Sequence, residues 1–344
     1  VRAPGFAPLE RRLVGEAVAA WAPQLTRQAT SSQRLDRTVE SPPTALAGGD
    51  RVVVDRSGDV SRVDDGLTRT AWTFRSGDLS GYLSRALLFG DQVVIASLDG
   101  TLRALNVATG EVVWQQTGMP CEVSPAISGG TLWVATTAGE LHAIDLVKGQ
   151  RVTADLGFKP SDDLVAYDGD VLVVGARGEV SRWSSKAKRR WRVDLGGLAG
   201  PRAVLSAGVL VMTDDQGLLA GVDANTGRTR WRRDLRVAPF AGISAANGQV
   251  LVTTPERVLR LQAADGEALP AFVSATSPWA GPACVVGDRI VVPTEGGLLQ
   301  VLDRESGRPL YALEGDAKSR LLETSGSLYV IEPARNLRYH RTLP

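Results

Sequence analysis

The 344-residue sequence predicts an all-β fold, an eight-bladed β-propeller of four-stranded antiparallel blades. Three observations predict it. The phrase Thr-Gly-x-x-x-Trp runs from Thr109 to Trp114 and again from Thr226 to Trp231, so its tryptophans lie 117 positions apart, three times 39. The turn glycines Gly110, Gly149, Gly227, Gly266 and Gly307 follow one another at 39, 78, 39 and 41 residues. Between them lie short apolar, β-branched runs bounded by Gly and Asp, such as "TLWVAT" (131–136) and "VLVTTP" (250–255). Strand-type runs repeating at about 40 residues are the pattern of stacked four-stranded units. Each unit alone leaves apolar faces in water, and stacking the units in a ring buries them.

Residues 1–30 are expected to be an extension outside the ring. Within it, "PLERRLVGEAVAAW" (8–21) spaces Leu9, Leu13, Ala17 and Trp21 at intervals of four. Pro8 suits a first helical turn, so a short amphipathic helix is expected there, facing either the ring or a partner protein. Glu16 interrupts the apolar stretch, so it does not read as a signal peptide, and no lipoprotein-type Cys stands near the N-terminus. No apolar run reaches the roughly 18 residues of a membrane span.

Residues 31–344 form the expected propeller. Units fall near 41–77, 78–118, 119–157, 158–197, 198–237, 238–275, 276–315 and 316–344. The last has room for three strands only. The missing one is expected from the other end of the chain, because "QRLD" (33–36) matches "WRVD" (191–194) and "WRRD" (231–234) apart from the Trp. Gln33 also precedes Pro43 by ten residues, as Trp191 precedes Pro201. Residues 31–38 are therefore expected to complete the eighth blade and close the ring.

Bulk composition sets limits. A hydrophobic fraction of 43% is enough for a large core, and a net charge of +1 argues against a chain built as a nucleic-acid binder. The two cysteines, Cys121 and Cys284, fall in blades three and seven, too far apart for a disulfide, and read as buried thiols.

The phrases Ala104-x-Asn106-x-x-Thr109-Gly110-Glu111-x-x-Trp114 and Asp223-x-x-Thr226-Gly227-Arg228-x-x-Trp231 resemble the tryptophan-docking repeat of pyrroloquinoline-quinone-type propellers. "AIDLVKGQ" (143–150) and "VLDRESGR" (301–308) are weaker copies, and one copy has lost its Gly within "SSKAKRRW" (184–191). The resemblance implies that Trp72, Trp114, Trp191 and Trp231 each pack on a neighbouring blade beside the repeat's Gly, with Tyr311 replacing Trp in blade seven. Thr153 and Pro270 stand in that place in blades three and six, where looser docking is expected. Burying each indole stabilises by about 2–3 kcal/mol.

Quinoprotein dehydrogenases sharing this repeat use an adjacent Cys-Cys pair, and this chain has none. His142 and His340 lack metal-type spacing; their counterparts Arg103, Ser181 and Gln300 mark what reads as a tolerant surface position. The pairs Asp64-Asp65, Asp162-Asp163 and Asp214-Asp215 read as turn and edge residues. No catalytic site, metal or cofactor is expected. A quinone or small ligand in the central channel, in an enzyme or a sensing module, is the alternative.

One candidate partner surface emerges. Lys186, Lys188, Arg189, Arg190 and Arg192 are expected on the outer strand of blade four, and Arg228, Arg230, Arg232, Arg233 and Arg236 on that of blade five. Such residues on edge strands discourage edge-to-edge aggregation. They also suit an acidic protein or an anionic lipid, while nucleic acid is not expected. Among non-catalytic members, the chain resembles the BamB-like propellers of the bacterial cell envelope. That resemblance implies a protein–protein interaction scaffold and an envelope or periplasmic setting.

Overall fold

The computed structural model describes residues 26–27, 31–34, 43–55, 58–76, 85–198, 202–214, 216–237, 243–273, 277–324, 327–331 and 336–340. The helix expected at 8–21 lies outside them. The described residues contain strands and turns only.

The strands form eight sheets. Sheets one to seven span 44–74, 87–116, 126–155, 165–194, 202–234, 243–273 and 284–314, each with its four strands in chain order. Sheet eight takes three strands from 320–340, and its fourth is Ser31–Arg34. That strand runs antiparallel to Asn336–His340, with Ser31 opposite Tyr339 and Arg34 opposite Asn336. The closing strand expected at 31–38 is present over Ser31–Arg34, and 35–38 lie outside the described residues.

The eight apolar clusters show how the sheets close into a propeller. Each cluster draws on two consecutive sheets, as where Trp133 and Leu141 of sheet three meet Val171, Val173 and Trp183 of sheet four. The last joins sheet one to sheet eight, through Val53, Val63 and Leu67 against Tyr329 and Ile331. Arg51, itself buried, donates from Nε to the Tyr329 hydroxyl at 2.5 Å across the same seam. The second strands are buried, along their whole length in Thr131–Ala135 and Val209–Thr213 and at every residue but the first in Gln92–Ala96, Gln249–Thr253 and Arg289–Pro293. Both faces of these strands are covered by neighbouring sheets, which is why they read as continuous apolar runs rather than alternating ones.

A short strand, Thr26–Arg27, falls within the stretch expected to lie outside the ring. It runs parallel to the outer strand of sheet seven, Pro309–Glu314, with Thr26 opposite Ala312. Two residues carry no periodic signal, so the sequence gives no sign of it.

The turns between third and fourth strands of sheets two and five share one geometry. Asn106 Oδ1 accepts from the N–H groups of Ala108 and Thr109, and Asp223 Oδ1 accepts from Asn225 and Thr226. The chain then passes through Gly110 or Gly227 at positive φ, 76° and 73°. A side-chain oxygen at the turn's start fixes the backbone, and Gly takes the left-handed step at little steric cost. In the copy lacking Gly, Ala187 adopts that step, at φ 52°.

Candidate interaction surface on the outer edges

Three tryptophans wedge neighbouring sheets. Trp72 covers Gly110, Trp191 covers Gly227 and Trp231 covers Gly266, so closely that a Cβ on each glycine would fall 2.6 Å from the indole Cδ2. Each indole N–H donates to a carbonyl of the next sheet's turn: Val107 at 3.0 Å, Ala224 at 3.3 Å and Ala263 at 2.9 Å. Trp114 behaves differently. Its N–H donates to Gln92 of its own sheet at 3.0 Å, and Gly149 on sheet three has nothing within 4 Å of a would-be Cβ.

In sheet six the wedge is Phe272, not the residue at 270. A Cβ on Gly307 would fall 2.0 Å from the Phe272 ring, and the Arg260 guanidinium lies over that ring at 4.7 Å. The cause is a shifted bulge. In sheets one, four, five and seven the register shift follows the third residue or later of the third strand, but in sheet six it falls between Val258 and Arg260. An extra residue there re-aims the strand. Docking in this sheet is therefore tight, where a loose contact was expected.

Arginine clamps accompany the wedges, and the sequence reading missed them. Arg62 pairs with Asp50 and donates to the Val107 carbonyl of sheet two. Arg182 pairs with Asp170 at 2.5 Å and donates to the Ala224 carbonyl of sheet five. Arg260 donates to the Glu305 carbonyl of sheet seven. The signal was present: "VSR" recurs at 60–62 and 180–182, with "VLR" at 258–260.

The ten basic residues of the candidate patch are all exposed, on two consecutive sheets. Their charges are not equally available. Arg190 shares the buried Asp170 carboxylate with Arg182, and Arg230 pairs with Asp223 at 2.5 Å. The Arg230 hydrogen bond holds the Asp223 carboxyl down at about 2, helped by Thr226. Arg192 lies over Phe158 at 5.1 Å and Arg189 over Trp183 at 5.7 Å. The side chains of Lys186, Lys188, Arg228, Arg232, Arg233 and Arg236 form no ion pair with another described residue. Beside Arg232 and Arg233 opens a notch of about 190 Å³, lined also by Gly196, Leu198, Leu218, Leu219, Ala220 and Asp234.

Other residues singled out in the sequence have structural surroundings. His142 and His340 are buried, as are Arg103, Ser181 and Gln300, so this third-strand position is not a surface one. Three of these side chains are held from the outer strand, where His142 Nδ1 lies 2.9 Å from Thr153 Oγ1, Arg103 donates to Gln115, and Gln300 donates to the Tyr311 carbonyl, while Ser181 accepts from Trp183 of its own strand. Burial pushes the His142 imidazole below its usual value, with Arg151 adding to the shift. Asp163 accepts from the Ser124 N–H of the preceding unit and Asp162 from the Ala203 N–H of the following one, so the pair ties three units together. Asp64 caps its own turn through Thr68 and Arg69, Asp65 pairs with Arg51, and Asp214 caps Gln216 and Leu218. Asp215 lies outside the described residues. Cys121 and Cys284 are buried and unbridged. Burial raises their thiols to about 11 and about 12. Among the described residues no group of three or more His, Cys, Asp or Glu is placed to hold a metal, and no helix is long and apolar enough to cross a membrane.

Known proteins share this fold. The chain is 24% identical over 278 residues to the outer membrane protein assembly factor BamB of Bordetella pertussis, covering 74% of this chain and 70% of that one. It is 29% identical over 151 residues to BamB of Alkalilimnicola ehrlichii, an alignment covering 44% of this chain and 32% of the relative. The crystal structure of BamB from Moraxella catarrhalis superposes with a TM-score of 0.72 at 20% identity, covering 90% of this chain and 98% of that one. The computationally designed Ika8 protein superposes at 0.75 with 14% identity, covering 91% and 99%. At such identities the superpositions speak for the fold alone. The model of the family described as outer membrane protein assembly factor BamB matches residues 16–155 and 176–313, so the chain belongs to that family.

Proposed function

We propose that this protein is a non-catalytic platform that binds other proteins during the assembly of outer membrane proteins. The observation that carries the reading is the family match on both halves of the ring. The construction supports it: wedges, clamps and a latched seam hold the sheets in fixed relation. A rigid ring presents loops and strand edges to partners without reorganising, which lowers the entropic cost of binding. Its setting in this reading is the cell envelope.

The test is depletion in the native cells. Loss of the protein is expected to lower the amount of folded outer membrane protein, and the tagged chain is expected to co-purify with other assembly factors after cross-linking. Unchanged outer membrane composition, or a quinone absorbance that purifies with the chain, overturns the reading.

A further inference from the structure

We propose that the notch at the outer edge of sheet five, beside the connection that carries Gly196 and Leu198, docks an acidic segment of a partner protein, which inserts one apolar side chain between flanking carboxylates. The proposal rests on the platform reading and names the chemistry one face of that platform recognises.

Shape is the first argument. The notch is about 190 Å³, and Leu198, Leu218, Leu219 and Ala220 supply its apolar lining. An aliphatic cavity of about 150 Å³ takes up benzene. The notch therefore fits one leucine or phenylalanine side chain and little more.

Charge is the second. Arg232 and Arg233 stand at the notch, exposed, with no ion pair to another described residue. Arg228 and Arg236 lie on either side of the same strand, Thr229–Asp234. The one acid in the lining, Asp234, has an oxygen committed to the Arg236 N–H at 2.8 Å. Uncommitted guanidinium groups beside an apolar hole favour carboxylates flanking an apolar residue, because Arg binds carboxylates through parallel N–H bonds. The contrast with Arg190 and Arg230 matters, since those charges are already used inside the protein.

The edge itself is the third. Thr229–Asp234 is the last strand of its sheet, while the corresponding edge of sheet seven carries Thr26–Arg27. An outer edge of this ring therefore takes up extended chain, and added strands are a common mode of peptide capture. A membrane surface offers anionic groups but no single side chain to fill a concave site, so a protein segment fits better.

The test uses the full chain and a fluorescein-labelled synthetic peptide carrying one leucine among glutamates. Two control peptides replace the leucine by serine or the glutamates by glutamines, and phosphatidylglycerol vesicles form a separate arm. Anisotropy is expected to show binding by the first peptide, weakened at least about tenfold in either control. Arg232→Glu with Arg233→Glu is expected to weaken it similarly, while Lys186→Glu with Lys188→Glu leaves it unchanged. An unaltered melting curve shows that each variant is folded. The proposal is overturned if no peptide binds, if the serine peptide binds equally, if both reversals weaken binding equally, or if only vesicles bind. Failure here leaves the platform reading standing wherever the Arg232→Glu, Arg233→Glu chain still co-purifies with assembly factors. Failure of that reading appears instead in the parent chain.

Discussion

Trp191 of sheet four lies on Gly227 of sheet five, with no room between them for a methyl group. The glycine also sits at φ 73°. Gly227→Ala therefore meets both a clash and a strained backbone, and is expected to cost about 2–4 kcal/mol of unfolding free energy. Gly149→Ala, at φ 69° with open space around it, is expected to cost only about 1 kcal/mol. Urea unfolding of the two variants decides the matter, and equal losses would show that the indole contact adds nothing.

Phe272 offers a second comparison. It is buried against Gly307, while Pro270 is exposed on the same strand. Phe272→Ala is expected to cost about 3–5 kcal/mol. Pro270→Ala should stay within about 0.5 kcal/mol. The reverse order would return the wedge to the position the repeat alone indicates.

The seam between sheets eight and one is filled from the other side. Leu67 is buried against Tyr329 and Ile331 although its φ is 56°, a conformation leucine rarely adopts. Leu67→Ala is expected to destabilise by about 2–4 kcal/mol. Hydrogen exchange should then accelerate first in Ser327–Ile331, and uniform acceleration around the ring would contradict the local role.

Acid should act on the turn that presents Gly227. The Asp223 carboxyl is held at about 2, below its ordinary 3.8, first by Arg230 and then by Thr226. A depressed carboxylate contributes stability above its unfolded value, and that contribution is lost as pH falls through the folded one. Asp223→Asn should thus melt lower than the parent at pH 7. The gap should narrow from about pH 4 and close near pH 2. A gap independent of pH would assign the effect to packing.

Thiol chemistry should be silent in the folded protein. Cys121 and Cys284 are buried and their thiols are raised to about 11 and about 12. Since the thiolate is the reactive form, Ellman's reagent at pH 8 should label neither until denaturant is added. Prompt labelling of the native chain would show that one of them is accessible.

The period of the turns was legible because successive four-stranded units have nearly the same length, and Gly110, Gly227 and Gly266 sit alike in space. The closing strand was legible for the same reason. Phe272 was not, because the shifted bulge moves the wedge from Pro270, the place the repeat marks, to Phe272 two residues on. His142 was misplaced because its polarity reads as exposure, whereas Thr153 satisfies one ring nitrogen in a buried site. The loss of Arg190 and Arg230 from the free charge of the rim depends on Asp170 and Asp223, partners that a composition argument does not pair with them. The notch had no sequence signal, since Leu198 reaches it from the connection between sheets four and five and Leu218 from a strand of sheet five.

The pairing of Ser31 with Tyr339 links positions 308 apart, 339 minus 31. On a ribosome the earlier strand is made long before its mate exists, so seven sheets can stack while one flank stays bare. Contacts between such distant positions form late and slowly. A chain cut short before Asn336 would keep most of its apolar stacking yet expose unpaired backbone on the last sheet, a surface that recruits other chains. Ring closure therefore waits on Asn336–His340: only a polypeptide made as far as that strand can hide that flank.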